Sequence, residues 1–240
     1  MATKARDAEI IEKVVSSSNP INMAKIAADF NIPVSTLYRR VSNLIGQGLI
    51  LRVRRGHYVP NPVMTRFHAK FDANTGLGSL VLPHLKTLHL TTELTTHFGV
   101  FEDDMVTYIA KVSLQNQAMF TKVYGQLEAY CSGVGKVLLA HLAPQVLGAY
   151  LESGPFPKVT ANTIVDPNLI RRELQLTVKR QYAIDDGEIE EGLFCLAIPV
   201  YEERCGMLGA LSISSNDRAQ LFDNRNFYLS ALKDTSRGIL

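Results

Sequence analysis

The chain has no tryptophan and only three cysteines, Cys131, Cys195 and Cys205, among its 240 residues. An odd number of thiols without a C-x-x-C spacing argues against a disulfide framework or a closed zinc site, so reduced cysteines are expected. Long apolar runs are missing too. Nothing reaches the roughly 18 to 20 uninterrupted apolar residues of a membrane span, and the opening MATKARDAEI lacks the apolar core of a signal peptide. A cytoplasmic location without membrane contact is expected. Internal repeats and low-complexity tracts are also absent. What is present, 46% hydrophobic and 20% charged residues, suffices for ordinary buried cores and excludes disorder. The length suits one large domain, or one small and one medium domain.

The net charge of +2 hides a sorting by position. Residues 1–70 hold 11 Lys and Arg against 4 Asp and Glu, a net of +7, and the remainder hold 14 against 19, a net of −5. A basic unit joined to an acidic one suggests that the first meets a polyanion. Between them YVPNP, Tyr58 to Pro62, interrupts regular structure, because proline lacks a backbone donor and disfavours helix just before it. The expected domains are 1–60, a connecting segment 61–78, and 79–240.

Apolar spacing in the first 60 residues predicts three short helices. Asp7 is placed to cap the first, with Ile11, Val14 and Val15 inside. Asn22 is placed to cap the second, with Met23, Ile26, Ala27 and Phe30 on one face. The turn Asn31-Ile32-Pro33 opens a third that buries Leu37, Val41 and Leu44 and ends at Gly46 or Gly48. Then LILRVRRGHYV alternates apolar and basic residues around Gly56, as a hairpin does. This is the layout of a winged helix-turn-helix. Its third helix fits the major groove of double-stranded DNA, where each base pair displays its own donor and acceptor pattern. Ser35, Thr36, Tyr38 and Arg39 are the candidates for base or phosphate contact, with Arg40 further round the helix. Arg52, Arg54 and Arg55 of the hairpin would pair with phosphates or reach a minor groove. The competing reading is a three-helix unit whose basic face binds protein.

The second half reads as α/β, with an antiparallel or mixed sheet and helices packed on it. Leu80, Leu82, Leu85, Leu88 and Leu94 suggest one or two helices. FGVFEDDMVTYIAKV suggests two strands joined at Glu102-Asp103-Asp104, and another strand-like stretch lies at Met119 to Val123. CSGVGKVLLAHLAP is a turn opening a helix that stops at Pro144. A helix from Pro167 to Arg180 precedes the strands GLFCLAIPVY and GMLGALSIS.

Several patterns here bear on chemistry. At Ser132-Gly133-Val134-Gly135-Lys136 a helix start presents backbone N–H groups suited to an anion, unless the turn serves only close packing. It is too short for a phosphate-binding P-loop. The acids from Asp185 to Glu191 are either functional or a solvated loop. Ser212 and Ser214 share one strand face, either as a hydroxyl pair for a ligand or as an exposed sheet surface. Cys131 beside Lys136 and His141, or Cys195 near Asp185, can be drawn as an enzyme nucleophile, but a cysteine among Leu, Ala and Ile is more often a small buried hydrophobe. His84, His89, Glu93 and His97 include i, i+4 spacings that suit a metal or simply a polar helix face. No metal or cofactor is expected.

With these residues in view, the chain resembles the IclR family of bacterial transcriptional regulators along nearly its whole length. The resemblance rests on the helix-turn-helix, on SGVGKVLLAHL, and most specifically on DDGEIEEGLFCLAIPVYEERCGMLGALSIS. It implies a winged helix-turn-helix joined by a connecting helix to a GAF-like effector-binding domain, an α+β chain overall. It implies no catalysis. The implied effector is a small organic or aromatic acid. Position by position, the family's pocket contacts fall on Gly133, Val134, Asp185, Leu193, Cys195, Ser212 and Ser214. The resemblance also implies a homodimer or dimer of dimers on a pseudo-palindromic operator. A DNA-binding scaffold without effector response is the other alternative.

Overall fold

The computed structural model describes residues 2–17, 20–62, 73–113, 121–202 and 206–239. The chain divides into two compact units, Met1–Ala73 and Asn74–Leu240.

In the first unit α1 (Ala2–Val15), β1 (Ile21–Asn22), α2 (Met23–Asp29) and α3 (Val34–Gly46) are followed by the hairpin β2 (Ile50–Arg54) and β3 (His57–Pro60). Asn22 caps α2 as its position predicts, accepting from the Ala24 N–H at 2.8 Å. Leu37, Val41 and Leu44 of α3 are each at most 2% exposed and meet Ile10, Val14, Met23, Ile26, Ile50 and Tyr58 in one core. Burying each of the three stabilises the unit by about 1.5–3 kcal/mol.

One expectation for α1 fails and another holds in part. Asp7 does not cap it: the helix already runs from Ala2, and the Asp7 carboxylate instead accepts from Arg40 on α3 at 2.8 Å. Of the expected inner face, Val14 is buried and Ile11 packs half-buried against the core, but Ile10 joins them and Val15 is 57% exposed. A helix begun earlier needs no cap at Asp7, and the core turns the buried face toward Ile10 and away from Val15. Strand β1 is also new. It makes the hairpin a three-stranded antiparallel sheet, β1-β3-β2, through Ile21 opposite Tyr58 and Asn22 opposite His57.

The second unit opens with α4 (Ala73–Thr92), which runs on through Gly78, where the connecting segment was expected to end. Residues 63–72 of that segment lie outside the described residues. Helix and sheet meet closely at Gly78, where a Cβ would fall 2.6 Å from the Ile109 carbonyl oxygen. Strands β4 (Thr95–Glu102) and β5 (Met105–Val112) form the expected hairpin, turning at Asp103 (φ 50°) and Asp104 (φ 62°). Positive φ at both central residues is what a twist-matched two-residue turn requires.

The strand-like stretch at Met119 to Val123 is not a strand over its described part. The next strand is β6 (Gln126–Glu128). Helix α5 (Gly133–Ala140) ends before Pro144, which starts α6 (Pro144–Glu152) as its first residue, where a missing N–H costs little. Helix α7 (Pro167–Arg180) has the expected bounds and is capped by Asp166. Then come β7 (Ala183–Asp186), β8 (Phe194–Glu202), β9 (Gly206–Ser215), α8 (Arg218–Asp223) and α9 (Arg225–Gly238).

The six strands form one antiparallel sheet in the order β6-β5-β4-β9-β8-β7. Strand alternation gives it two apolar faces. Leu196, Ile198, Leu211, Ile213 and Phe98 pack with Val81, Leu85 and Leu88 of α4 and Tyr228, Leu229 and Leu232 of α9. Cys195, Ala197 and Ala210 face the other way, with Val134, Val137 and Leu138 of α5 and Ile170 and Leu174 of α7. Among the described residues no helix is long and apolar enough to cross a membrane.

Candidate functional site

In the first unit, Ser35, Tyr38 and Arg39 of α3 are exposed and Thr36 is half-buried, while their apolar neighbours point inward. Arg52, Arg54 and Arg55 are exposed on the hairpin. Tyr38 sits where helix and hairpin meet: its ring lies edge-on to Tyr58 at 6.5 Å, and a Cβ added at Gly56 (φ +75°) would come 3.4 Å from its hydroxyl. Arg40 differs from the rest. Its side chain is 13% exposed and paired with Asp7, so it ties α3 to α1 and does not join the exposed set. Leu51 and Val53, interleaved with the hairpin arginines, are 40% and 53% exposed.

In the second unit, register places the other candidates side by side. Asp185, Cys195, Ser214 and Thr95 are successive partners across β7, β8, β9 and β4. Two residues along, Ala183, Ala197, Ser212, His97 and Lys111 form the next row, extending to β5. Residues in register share a sheet face, and this one faces α5.

Helix α5 is pressed onto that face. A Cβ at Gly133 would fall 2.8 Å from the Cys195 Sγ, and one at Gly99 would fall 2.8 Å from the Val134 Cγ1. Gly135 is still tighter, since its Cβ would lie 2.2 Å from the Ala129 carbonyl oxygen. Ser132 caps the helix by accepting from the Gly135 N–H at 3.1 Å. The Gly133 and Val134 N–H groups stand at the orphan positions of the helix start, next to Cys195 and the serines. Leu193 is 6% exposed in the same layer.

Two of the acids and both serines are therefore buried: Asp185 and Ser212 are 1% exposed, Ser214 4% and Glu188 6%, whereas Asp186 is half-buried and Glu190 and Glu191 are exposed. The exposed-sheet alternative for the serines does not survive, and the solvated-loop alternative holds only for Glu190 and Glu191. Asp185 accepts from the Glu188 N–H at 2.8 Å. Burial pushes its carboxyl up to about 7, against the pull of that N–H and of the Lys136 ammonium. Lys136 is itself 1% exposed; its ammonium donates to the Ile184 carbonyl at 2.9 Å and to the Glu188 carboxylate. Thr160 and Thr163 hold the same loop through the Gly187 and Glu188 carbonyls. The Cys195 thiol lies beside both hydroxyls. Even so, the Ser212 Oγ gains no hydrogen bond of normal geometry, and the Glu188 Oε2 also has no partner among the described residues.

The nucleophile constellations do not assemble. Burial, then the Asp185 carboxylate, pushes both Cys131 and Cys195 up to about 12, keeping both as un-ionised thiols at pH 7. Lys136 is committed to Glu188, and the His141 Nδ1 bonds the Val137 carbonyl at 2.7 Å. Cys205 lies outside the described residues. The helical metal spacing fails as well. Helix α4 ends at Thr92, Glu93 turns to φ 57°, the His89 Nδ1 bonds the Leu94 carbonyl, and His97 lies inside β4.

Sequence reasoning missed the Lys136–Glu188 pair and the inward-facing Thr95, His97 and Tyr108. The available signal for Thr95 and His97 was period-2 alternation through TTHFG, which places them with Gly99 on one face. A cavity of about 330 Å³ lined by His84, Thr87, Thr91, Ala231, Asp234 and Thr235 lies between α4 and α9, on the other side of the sheet from this cluster.

Comparison with known proteins gives the following. A family model described as bacterial transcriptional regulator IclR C-terminal matches residues 72–240. The HTH-type transcriptional regulator KdgR of Escherichia coli is 30% identical over 206 residues, 85% of this chain and 78% of that protein. The crystal structure of the Thermotoga maritima IclR aligns with a TM-score of 0.65 and 26% identity, covering 100% of this chain and 97% of that one. An IclR homologue from Microbacterium hydrocarbonoxydans, crystallised with 4-hydroxybenzoate, shares the fold at a TM-score of 0.62 and 22% identity, covering 99% and 97%.

Proposed function

The chain belongs to the IclR family of bacterial transcriptional regulators, and from that premise we propose that it is a ligand-responsive, DNA-binding regulator of catabolic genes. In this reading residues 1–60 are a winged helix-turn-helix, the stretch from 61 to the start of α4 a connecting and dimerising segment, and Asn74–Leu240 the effector-binding domain. Helix α3 enters the major groove with Ser35, Thr36, Tyr38 and Arg39 toward the bases and phosphates. Arg52, Arg54 and Arg55 of the hairpin contribute affinity through the backbone.

The observation that carries the reading is the exposure of Ser35, Tyr38, Arg39 and all three hairpin arginines on a unit whose net charge is positive, while Leu37, Val41 and Leu44 are buried. A single unit of this size contacts few bases. Pairing two in a homodimer, or a dimer of dimers, at fixed spacing on a pseudo-palindromic operator multiplies both affinity and specificity.

The effector is proposed to be a small organic or aromatic acid. Its carboxylate is received by the Gly133 and Val134 N–H groups with Ser212 and Ser214, and its body by Leu193 and Cys195 beside Asp185. The unpartnered Ser212 Oγ supports this, since a buried hydroxyl without a hydrogen bond is costly unless a ligand completes it. The 4-hydroxybenzoate complex of the Microbacterium homologue supports the acid class. Control requires that the acid favour one arrangement of the DNA-binding units, because equal affinity for both shifts nothing.

The test is selection of genomic fragments by the purified protein, repeated with Arg39→Ala. Enrichment of a pseudo-palindromic site by the wild type, lost in the variant, is the expected result. No enrichment with the wild type refutes the reading.

A further inference from the structure

The proposed effector cluster has a second polar pole, and it is built around His97. On β4 and β9, Thr95 lies opposite Ser214 and His97 opposite Ser212, a two-by-two block in which no residue is more than 4% exposed. These are the two central strands of a six-stranded sheet, and their other face carries the expected Phe98, Leu211 and Ile213. Four polar side chains in that position would be a liability in a dry core.

Part of the liability is met internally. The His97 Nε2 is hydrogen-bonded to the Thr121 Oγ1 at 2.9 Å, and its ring lies tilted against Tyr108 at 5.0 Å. The Ser212 hydroxyl, directly opposite, is the unmet part. Burial, followed by the Lys111 ammonium, brings the imidazole down to about 3, so it is neutral at physiological pH. It serves as a hydrogen-bonding group and not as a charge. Residues opposite one another on an antiparallel pair have Cβ atoms about 4.5–5.5 Å apart, and diagonal neighbours stand about 7–8 Å apart. His97 is therefore within reach of a ligand held at Ser212 and one small skeleton away from Ser214.

We propose that His97 is a specificity-determining residue of the effector site, hydrogen-bonding a second polar group on the acid. The ligand class narrows to acids that carry a hydroxyl or keto group in addition to the carboxylate. This rests on the effector reading of the cluster and adds to it a residue and a chemical requirement. A site with a buried hydrogen-bonding group discriminates strongly against the analogue lacking the matching group, because that group is then left unpaired.

The experiment is calorimetric titration of the full chain with two matched pairs of acids, 4-hydroxybenzoate against benzoate and lactate against propionate, on wild type, His97→Leu and His97→Gln. Supporting the proposal, the wild type binds at least one hydroxylated member on the order of tenfold tighter than its partner, and His97→Leu abolishes the preference without weakening the unhydroxylated acid. His97→Gln, similar in size and still able to hydrogen-bond, retains a preference and guards against a folding defect in the leucine variant. Equal binding within both pairs by the wild type, or a preference that survives His97→Leu, overturns the assignment of His97 and leaves the effector site standing. Binding of none of the four acids by the wild type overturns the effector reading itself, and the His97 proposal with it.

Discussion

Replacing Asp185 by asparagine should stabilise the protein, and by an amount that grows with pH. The carboxyl is buried beneath α5, and burial raises it from 3.8 to about 7 in the folded chain, while in the unfolded chain it returns to the ordinary value. Between those two values the folded state holds a proton that the unfolded state has released. Stability therefore falls as pH rises, by up to about 1.4 kcal/mol per pH unit. Below the unfolded value the two states are equally protonated and nothing is lost. Across the whole window of about three units the penalty reaches roughly 4 kcal/mol, and above about pH 7 it is fully developed. Asparagine keeps an oxygen able to accept the Glu188 N–H now bonded at 2.8 Å, but carries no charge to desolvate. Urea unfolding of both proteins at pH 5, 6, 7 and 8, followed by circular dichroism, reads the difference directly. The variant's advantage should grow from about 1.7 kcal/mol at pH 5 to about 4 kcal/mol at pH 8. A difference that is constant with pH, or that shrinks as pH rises, refutes the account of a buried, proton-holding carboxyl.

Other perturbations separate structure from function. Arg40→Ala removes the part-buried pair with Asp7 and should cost about 1 kcal/mol in chemical denaturation. Arg39→Ala should leave stability within about 0.5 kcal/mol yet weaken DNA binding and flatten its salt dependence in fluorescence anisotropy. Lys136→Met strands the Glu188 carboxylate in the interior and should cost about 3–5 kcal/mol, most of it recovered in the Lys136→Met/Glu188→Leu double variant; a double variant no better than the single one contradicts this. Gly135→Ala drives a Cβ into the Ala129 backbone, so a stability loss above about 3 kcal/mol is expected, whereas the same change at Gly148, which meets nothing within 4 Å in the midst of α6, should be neutral or stabilising.

Some of this protein is written locally, and for those parts the chain itself is enough. Asn22 before an apolar run and Asp166 before Pro167 cap their helices because capping involves only neighbours in sequence. Leu37, Val41 and Leu44 fall inward because a 3.6-residue period leaves no other side to bury. The charge division between the two halves, and the alternation that puts Ser212 with Ser214, likewise need no tertiary information. Tertiary structure decided what depends on partners far apart in sequence. Asp7, inside a helix that begins at Ala2, is paired with Arg40, 33 residues away, and Arg40 was taken from the basic face by that contact. Whether the acids and serines met water or a buried layer depended on α5 settling over β8 and β9, and on Lys136 reaching Glu188 across 52 residues. His97 looked like a member of a helical metal spacing until Glu93 broke the helix and β4 turned the imidazole toward Ser212. The physical reason is common to all three: periodicity and capping are short-range and legible along the chain, whereas burial, and with it the charge state and chemical role of a polar group, is set by whatever the fold brings against it.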